Sequence, residues 1–279
     1  MPEIDKLWNF ADPAASERRF REAIVTAYGM EWDELRTQLA RALGLQGRFD
    51  EGHAELDAIE SASGRVAVRV ALERGRLFNS AGDTERAVAQ FSRAADLART
   101  SGEIGLEIDA LHMLGIAAAE SERLGWNERA IALAEGSEDP RATRWLGSLL
   151  NNTAWSYHDA GAFDRALELF ERAQVWHQQS GTPETWQIAR WSVGRCLRSL
   201  GRFDEALSIQ RSLAGEIGDE WPDGFVLEEI AENLYEQGRA DEAAPWFARA
   251  ADVLASDPWL AETEPERLAR LRELGHHAG

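Results

Sequence analysis

Arginine and tryptophan are the residue types in this sequence best suited to bind another molecule. The 279 residues include 11 tryptophans, and Lys6 is the only lysine among 30 basic residues. A guanidinium group grips a carboxylate through parallel hydrogen bonds and also stacks on aromatic rings. This chemistry suits an acidic ligand with an aromatic part. Because a biased genome would produce the same excess of arginine, the positions of these residues must decide whether they bind.

Common catalytic motifs are missing from the chain. It has no HExxH, P-loop, GxSxG or CxxC, and no GxGxxG after a strand. The six histidines are scattered, and Asp159, next to His158, would point away from it on a helix. Cys196, the only cysteine, excludes an internal disulfide, and its spacing predicts a buried apolar residue. We therefore expect no catalytic activity, cofactor or metal.

The charge of the chain narrows the choice of partners. The formal net charge is −19, which argues against binding to nucleic acid or an anionic membrane. The first residues, MPEIDKLWNF, do not resemble a secretory signal, and no apolar run reaches the roughly 18 residues that a membrane helix needs. We expect a cytoplasmic protein.

Apolar residues recur every three or four positions, as in RALELFERAQVW (165–176), which predicts helices throughout. Glycines that could form turns recur at intervals of 35, 43, 36, 40 and 37 residues, a period typical of helical repeat proteins. They are Gly47, Gly82, Gly125, Gly161, Gly201 and Gly238.

Other residue types recur at fixed distances from these glycines. A small residue stands seven positions before each glycine and another five positions after it, as required where two helices cross closely. The residue nine positions after is mostly large, and the residue three positions after is acidic, which suits the start of a helix. The small residues seven positions before the glycines are Ala40, Gly75, Ala118, Ala154, Gly194 and Ala231. Those five positions after the glycines are Gly52, Ala87, Ala130, Ala166, Ala206 and Ala243.

This pattern resembles the tetratricopeptide repeat, a helix–turn–helix unit with small residues at both crossings. The clearest copies are residues 149–174, 190–213 and 230–254, followed by 74–98, whereas the copies around Gly47 and Gly125 are degenerate. The resemblance implies an all-α, right-handed superhelical solenoid of about six repeats. It also implies a concave surface, lined by the first helix of each repeat, that binds peptides.

Three segments are predicted along the chain. Residues 1–31 would hold an amino-terminal capping helix that begins at Asp12 and Pro13, and Trp8 and Trp32 would seat it. Residues 32–256 would form the repeat array. Residues 257–279 would hold a carboxy-terminal capping helix and a tail with His276 and His277.

Further details concern the boundaries of these elements. The last helix would span 263–275, with Thr263 and Glu266 as a capping box and Gly275 at its end. Residues 136–143 and 218–224 read as loops, the latter containing Trp221, and we expect a bend in the array near 125–145.

Residues facing the concave surface should lie ten, six and three positions before each turn glycine, on one helical face. In the degenerate third copy these positions hold Gly115, Ala119 and Glu122. The candidate binding residues elsewhere are Arg41, Arg76, Asn79, Asn151, Trp155, His158, Trp191, Arg195, Arg198 and Tyr235. They favour a peptide with acidic side chains or a terminal carboxylate and an apolar or aromatic anchor. Alternatively, these side chains only pack against neighbouring repeats.

The best functional hypothesis is a non-catalytic protein-binding scaffold or adaptor that takes a peptide or an extended partner segment in its groove. Chaperone-binding members of the family clamp a carboxylate with lysine and asparagine, and this groove contains no lysine. A sensor of a peptide or a small aromatic molecule is the second hypothesis. An enzyme that uses His112, His158 or the arginines is the third. The oligomeric state stays open.

Overall fold

Helices account for all regular structure in the part of the chain that the computed structural model describes, residues 4–60, 62–220 and 222–276. The predicted all-α repeat fold is confirmed. Trp221 and His277 lie outside the described residues. A 3-10 helix at Ile4–Leu7 is followed by α1 (Pro13–Thr26), α2 (Met30–Gly44), α3 (Phe49–Asp57), α4 (Gly64–Ser80), α5 (Thr84–Ser101), α6 (Ile104–Ala117), α7 (Glu120–Glu135), α8 (Pro140–Thr143), α9 (Leu146–Asp159), α10 (Phe163–Ser180), α11 (Pro183–Ser199), α12 (Phe203–Ile217), α13 (Gly224–Glu236), α14 (Ala240–Leu254), α15 (Pro258–Thr263) and α16 (Pro265–His276).

The helices form two compact units, with the boundary between Leu149 and Leu150. The first unit contains the hairpins α2–α3, α4–α5 and α6–α7, and the second contains α9–α10, α11–α12 and α13–α14. Six helical hairpins therefore exist, as the glycine spacing predicts. The segment boundaries at residues 31 and 256 and the bend near 125–145 stay predictions.

Five of the six predicted turn glycines adopt the left-handed backbone conformation, with φ between 73° and 82°. In the turn at Gly201, its N–H donates to the carbonyl of Arg198, and the N–H of Arg202 donates to the carbonyl of Leu197, each over 2.9 Å. Glycine reaches this conformation without strain, which is why it ends the first helix. The other four are Gly47, Gly82, Gly161 and Gly238.

The predicted small residues are all buried, and where they are glycines of a first helix they mark the crossing of the two helices of a hairpin. A Cβ atom on Gly75 would lie 2.5 Å from Cε1 of Phe91, so the ring occupies the space that a side chain would need. Gly194 similarly faces Gln210, which is fully buried. The crossing therefore depends on the absence of a side chain on the first helix.

The third hairpin differs from the prediction, because Gly125 is an exposed residue inside α7 and does not form a turn. The chain turns instead through Ala118 and Ala119, both with extended backbone angles. Gly115 is the small crossing residue here, and a Cβ on it would overlap Asn127. The predicted groove positions Gly115, Ala119 and Glu122 are therefore wrong, since they were counted from a glycine that is not a turn.

The predicted amino-terminal segment contains the helix α1, and its role as a cap of the array stays a prediction. Asp12 caps α1 by accepting a hydrogen bond from the Ala15 N–H over 2.9 Å, and Pro13 occupies the first turn. Trp8 seats this helix through an edge contact with Phe20, their ring centroids 5.0 Å apart. Trp32 contacts Arg36 of its own helix instead.

The predicted capping box at the carboxy-terminal end is wrong. Thr263 ends α15, donating its hydroxyl hydrogen to the Trp259 carbonyl, and Pro265 begins α16. Gly275 lies within α16, where a Cβ would meet the backbone of Ala248 at 2.8 Å. The glycine thus allows close packing of α16 on α14. In the predicted loop 136–143, Pro140–Thr143 form the short helix α8.

Two glycine-to-alanine substitutions test this geometry. Gly75→Ala should lower the free energy of unfolding by about 1–3 kcal/mol, because the added methyl group overlaps the Phe91 ring. Gly125→Ala should raise it by about 0.5–1 kcal/mol, because alanine favours the exposed interior of a helix. Urea unfolding followed by circular dichroism measures both. A loss of stability for Gly125→Ala would mean that this residue does form a turn.

Candidate functional site

The predicted binding residues all lie on the first helices of their hairpins. They divide between the two units. In the first unit they are Arg41 on α2 and Arg76 and Asn79 on α4; in the second they are Asn151, Trp155 and His158 on α9, Trp191, Arg195 and Arg198 on α11, and Tyr235 on α13.

Arg76 is held in a largely buried ion-pair network. Its guanidinium donates to Glu73 Oε1 over 2.7 Å and to Asp109 Oδ1 over 2.5 Å. Burial opposes ionisation of Asp109, but the adjacent positive charge of Arg76 outweighs it and holds the pKa of Asp109 below its usual value. Arg76 therefore joins α4 to α6, and its charge is already compensated.

Arg41 and Arg69 have no such partner in the described part of the chain. Within the described ranges, no carboxylate oxygen lies within 4.0 Å of either guanidinium. Burial lowers the pKa of both arginines, and the charge of a neighbouring arginine, Arg76 beside Arg41 and Arg65 beside Arg69, lowers it further, while the more distant carboxylates of Glu73 and Asp109 act in the opposite direction. Nε of Arg69 is buried without a hydrogen-bond partner among the described residues. Neither positive charge therefore has a carboxylate in direct contact among the described residues.

A cavity of about 500 Å³ in the first unit collects these two arginines. Trp8, Phe10 and Trp145 contribute aromatic walls, and Gln38 contributes an amide. We call this cavity the arginine pocket. Its size suits part of a peptide or a small molecule. An anion placed in it would receive charge-assisted hydrogen bonds from groups that have no carboxylate partner in the described structure.

Other arginines at the rim of the pocket are compensated. Arg65 pairs with Glu34 at 3.0 Å and with Glu103 at 2.7 Å, and Arg144 lies 3.9 Å from Asp5. This contrast singles out Arg41 and Arg69 within the pocket.

Arg69 was not among the predicted residues, although the sequence contains a signal for it. The predicted stripe stops ten positions before the turn glycine, and Arg69 lies one helical turn earlier, three residues before Leu72. Because a helical face repeats every three or four residues, the stripe extends to this position. The same extension reaches Phe225 in the second unit.

The second unit presents a row of aromatic rings instead. Trp155 lies 5.9 Å from Trp191, and Trp191 lies 6.3 Å from Phe225, measured between ring centroids. The Trp191 indole N–H donates to the Phe225 carbonyl over 3.3 Å, which fixes the orientation of its ring. The predicted pair of tryptophans therefore forms a continuous shelf on neighbouring repeats.

Arg195 and Arg198 share one acidic partner in this unit. Arg198 donates two hydrogen bonds to Glu229, of 2.8 and 2.9 Å, and Arg195 Nε lies 3.2 Å from the same carboxylate. Glu228 and Glu232 pair in turn with arginines of α16. An anionic ligand would have to compete with Glu229 for these two guanidiniums.

His158 accompanies the aromatic row. Its Nε2 lies 2.9 Å from the Ser199 hydroxyl, to which Arg195 donates over 2.7 Å. Burial, together with the charge of Arg195, lowers the pKa of His158, so the ring is neutral at pH 7. His158 Nδ1 stands 3.7 Å from the exposed Asp159, beyond hydrogen-bond distance.

The remaining candidates make few polar contacts. Asn151 lies 3.5 Å from the Ser192 hydroxyl, Asn79 lines a small pocket beside Arg41, and Tyr235 is 43% exposed. A binding role for the predicted residues stays a prediction.

The lone cysteine behaves as expected. Cys196 is buried, its thiol donates to the Phe163 carbonyl over 3.4 Å, and burial raises the pKa of the thiol to about 11. No group of three or more histidine, cysteine or acidic side chains in the described part of the chain is arranged to hold a metal ion. None of the described helices is long and apolar enough to cross a membrane.

Known proteins share this architecture. The chain of RapI in its apo form is 11% identical, with 96% of this chain and 79% of RapI covered and a TM-score of 0.72. A signal transduction ATPase with a tetratricopeptide repeat sensor, from Pyrococcus horikoshii, is 12% identical, with 93% and 42% covered and a TM-score of 0.73. The apo quorum sensor NprR from B. thuringiensis is 14% identical, with 96% and 78% covered and a TM-score of 0.61. A search of curated proteins finds no match.

The sequence model described as Tetratricopeptide repeat matches residues 37–102 and 151–224, which together make up half of the chain. The protein belongs to the tetratricopeptide repeat family.

Two matched substitutions on α4 separate a structural arginine from a candidate binding arginine. Arg76→Met should lower the free energy of unfolding by about 3–5 kcal/mol, because Glu73 and Asp109 would remain buried without their counter-ion. Arg69→Met should change it by less than about 1 kcal/mol, since it removes no ion pair. Urea unfolding compares them. Equal losses would show that Arg69 also has a structural partner.

Proposed function

We propose that this protein is a non-catalytic binding protein, an adaptor or a sensor, that recognises an acidic or carboxylate-bearing segment of a peptide or protein partner. The ligand's anion would bind Arg41 and Arg69 in the arginine pocket. The observation that carries this proposal is the placement of two partly desolvated guanidiniums, neither paired with a carboxylate among the described residues, around one cavity.

The electrostatics of the chain support an anion at this place. The net charge of −19 means that carboxylates are abundant, and most described arginines of the first unit form an ion pair with one, as Arg65 and Arg76 do. Leaving a desolvated charge uncompensated is costly, so two such residues in one cavity favour a site completed by a ligand. The acidic character of the rest of the chain restricts that ligand to the pocket.

The aromatic row of the second unit supports a peptide ligand. Trp155, Trp191 and Phe225 offer apolar surface at neighbouring repeats, which suits an aromatic or aliphatic side chain. Because Glu229 already compensates the nearby arginines, this surface favours an uncharged anchor.

Two structurally similar proteins are described as sensors, one as a tetratricopeptide repeat sensor and one as a quorum sensor. They support the sensor form of the proposal. A cytoplasmic location is proposed as well, since a chain whose only thiol is buried suits a reducing compartment.

A displayed library of random peptides, selected on the full-length chain, tests the proposed binding. Enriched peptides should contain an acidic residue or a free carboxylate near an aromatic residue. The double variant Arg41→Met/Arg69→Met should weaken binding of a selected peptide at least tenfold, as measured by calorimetry, because the charge-assisted hydrogen bonds are lost.

The control is Arg86→Met/Arg99→Met on α5, where both arginines are exposed and form ion pairs with nearby aspartates. This variant should bind like the unmodified chain. Selection that yields no peptides, or peptides whose affinity is unaffected by the loss of Arg41 and Arg69, would contradict the proposal.

The contact between His158 and Ser199 is the arrangement closest to catalytic chemistry, and we propose that it is structural. The Ser199 hydroxyl accepts a hydrogen bond from Arg195, which lowers its nucleophilicity, and the Asp159 carboxylate is too distant to orient the histidine. A fluorophosphonate probe should therefore leave Ser199 unmodified. Labelling of Ser199 that disappears with His158→Ala would establish a catalytic serine instead.

A further inference from the structure

The segment Ile4–Asp12, here called the Trp8 segment, lies against the arginine pocket. The Trp8 and Phe10 rings stack in parallel, with centroids 4.6 Å apart and planes at 3°. The Arg41 guanidinium lies over both rings, 5.6 Å from the centre of Trp8 and 5.5 Å from that of Phe10. An arginine without a carboxylate partner among the described residues is thus covered by two aromatic faces.

Two more contacts place the segment over polar groups of the pocket. The Trp8 indole N–H donates to Gln38 Oε1 over 3.1 Å, and Asp5 Oδ2 lies 3.9 Å from Arg144. The segment therefore supplies a carboxylate and two stacked rings to the pocket. These are the groups that the proposed ligand would supply.

The hold of the Trp8 segment on the pocket is modest. Its regular structure is limited to one four-residue 3-10 helix, and Phe10 is 61% exposed. Asp5 pairs with Arg144 at the exposed rim, where an ion pair contributes little. Apolar contacts of Ile4, Leu7 and Trp8 with the cluster around Phe20, and two hydrogen bonds between the Asn9 backbone and the Ser16 hydroxyl, keep the segment in place. Segments with few buried contacts open more easily than the packed core.

We propose that the Trp8 segment is an internal competitor for the arginine pocket, and that the pocket's ligand is a peptide segment of the same chemistry, with paired aromatic rings and a nearby carboxylate. This inference rests on the proposed function. It adds that the ligand carries a pair of aromatic rings and that the Trp8 segment regulates ligand binding. The ligand stacks its rings on Arg41 in place of Trp8 and Phe10, and its carboxylate reaches Arg69. Because a tethered segment has an effective concentration in the millimolar range, it weakens binding of any free peptide.

The probe for this competition is a fluorescein-labelled synthetic peptide, IDKLWNFAD, with the sequence of residues 4–12. Fluorescence anisotropy measures its binding to the full-length chain and to the full-length variants Phe10→Ala and Trp8→Ala. Both variants should bind the peptide at least tenfold more tightly than the unmodified chain, since their own segments compete poorly. Adding Arg41→Met to Phe10→Ala should abolish the gain.

Tyr28→Ala is the matched control, because Tyr28 is an aromatic residue of the same unit that is 85% exposed. It should bind the peptide as weakly as the unmodified chain. A peptide with both aromatic residues replaced by alanine should not bind Phe10→Ala. Circular dichroism verifies folding, and Phe10→Ala, which loses a mostly exposed ring, remains informative if Trp8→Ala unfolds.

Equal binding to the unmodified chain and to Phe10→Ala, or no binding to either, would overturn the competition. An acidic peptide from the library selection separates this result from a failure of the proposed function. If that peptide binds the unmodified chain and Phe10→Ala equally, the pocket binds anions and the Trp8 segment does not compete. If selection on Phe10→Ala yields no peptide although this variant binds IDKLWNFAD, the segment exchanges and recognition of a separate partner fails.

Discussion

The close approach of two helices within each hairpin is the constraint on which the rest of this protein depends. Gly75 packs against Phe91 and Gly194 packs against Gln210. In each pair the first helix has no side chain at the crossing, and the second helix buries a large one there. A residue buried in this way fixes the rotation of both helices about their axes. That rotation determines which residues of the first helix face outward, and so determines where Arg41, Trp155 and Trp191 lie.

Charge compensation is the second principle of organisation. Arginine side chains link successive hairpins, as Arg76 does through Asp109 of α6 and Arg198 does through Glu229 of α13. An arginine on a binding face therefore has to be judged by its partners, because the same residue type serves as a structural link and as a binding group. Among the described arginines that line the arginine pocket, this criterion leaves Arg41 and Arg69.

Much of the fold could be predicted from the sequence because the repeat places the same physical requirement at the same spacing. Left-handed glycines and small crossing residues leave a clear signal, and five hairpins follow it. The hairpin at Gly125 does not follow this signal, since the sequence alone does not distinguish a glycine on an exposed helical surface from a glycine in a turn. The family match also skips this hairpin, covering 37–102 and 151–224.

The candidate binding face was harder to predict. Spacing identifies which residues share a helical face, and the shelf formed by Trp155 and Trp191 follows from it. Spacing does not reveal ion pairing, because partners such as Arg76 and Asp109 are 33 residues apart. Nor does it reveal that Trp8, far from any repeat, lies against Arg41.

The third hairpin shows which part of the repeat can differ in length without loss of the crossing. Its crossing partners, Gly115 and Asn127, are 12 residues apart, whereas Gly75 and Phe91 are 16 apart. The difference lies in the end of the first helix and in the turn, because Asn127 and Phe91 both lie seven residues after the first residue of their second helix. A loss of two residues within that second helix would rotate its face by about 200° and expose the crossing. The start of the second helix, rather than the turn, therefore sets which side chain meets the small residue of the first.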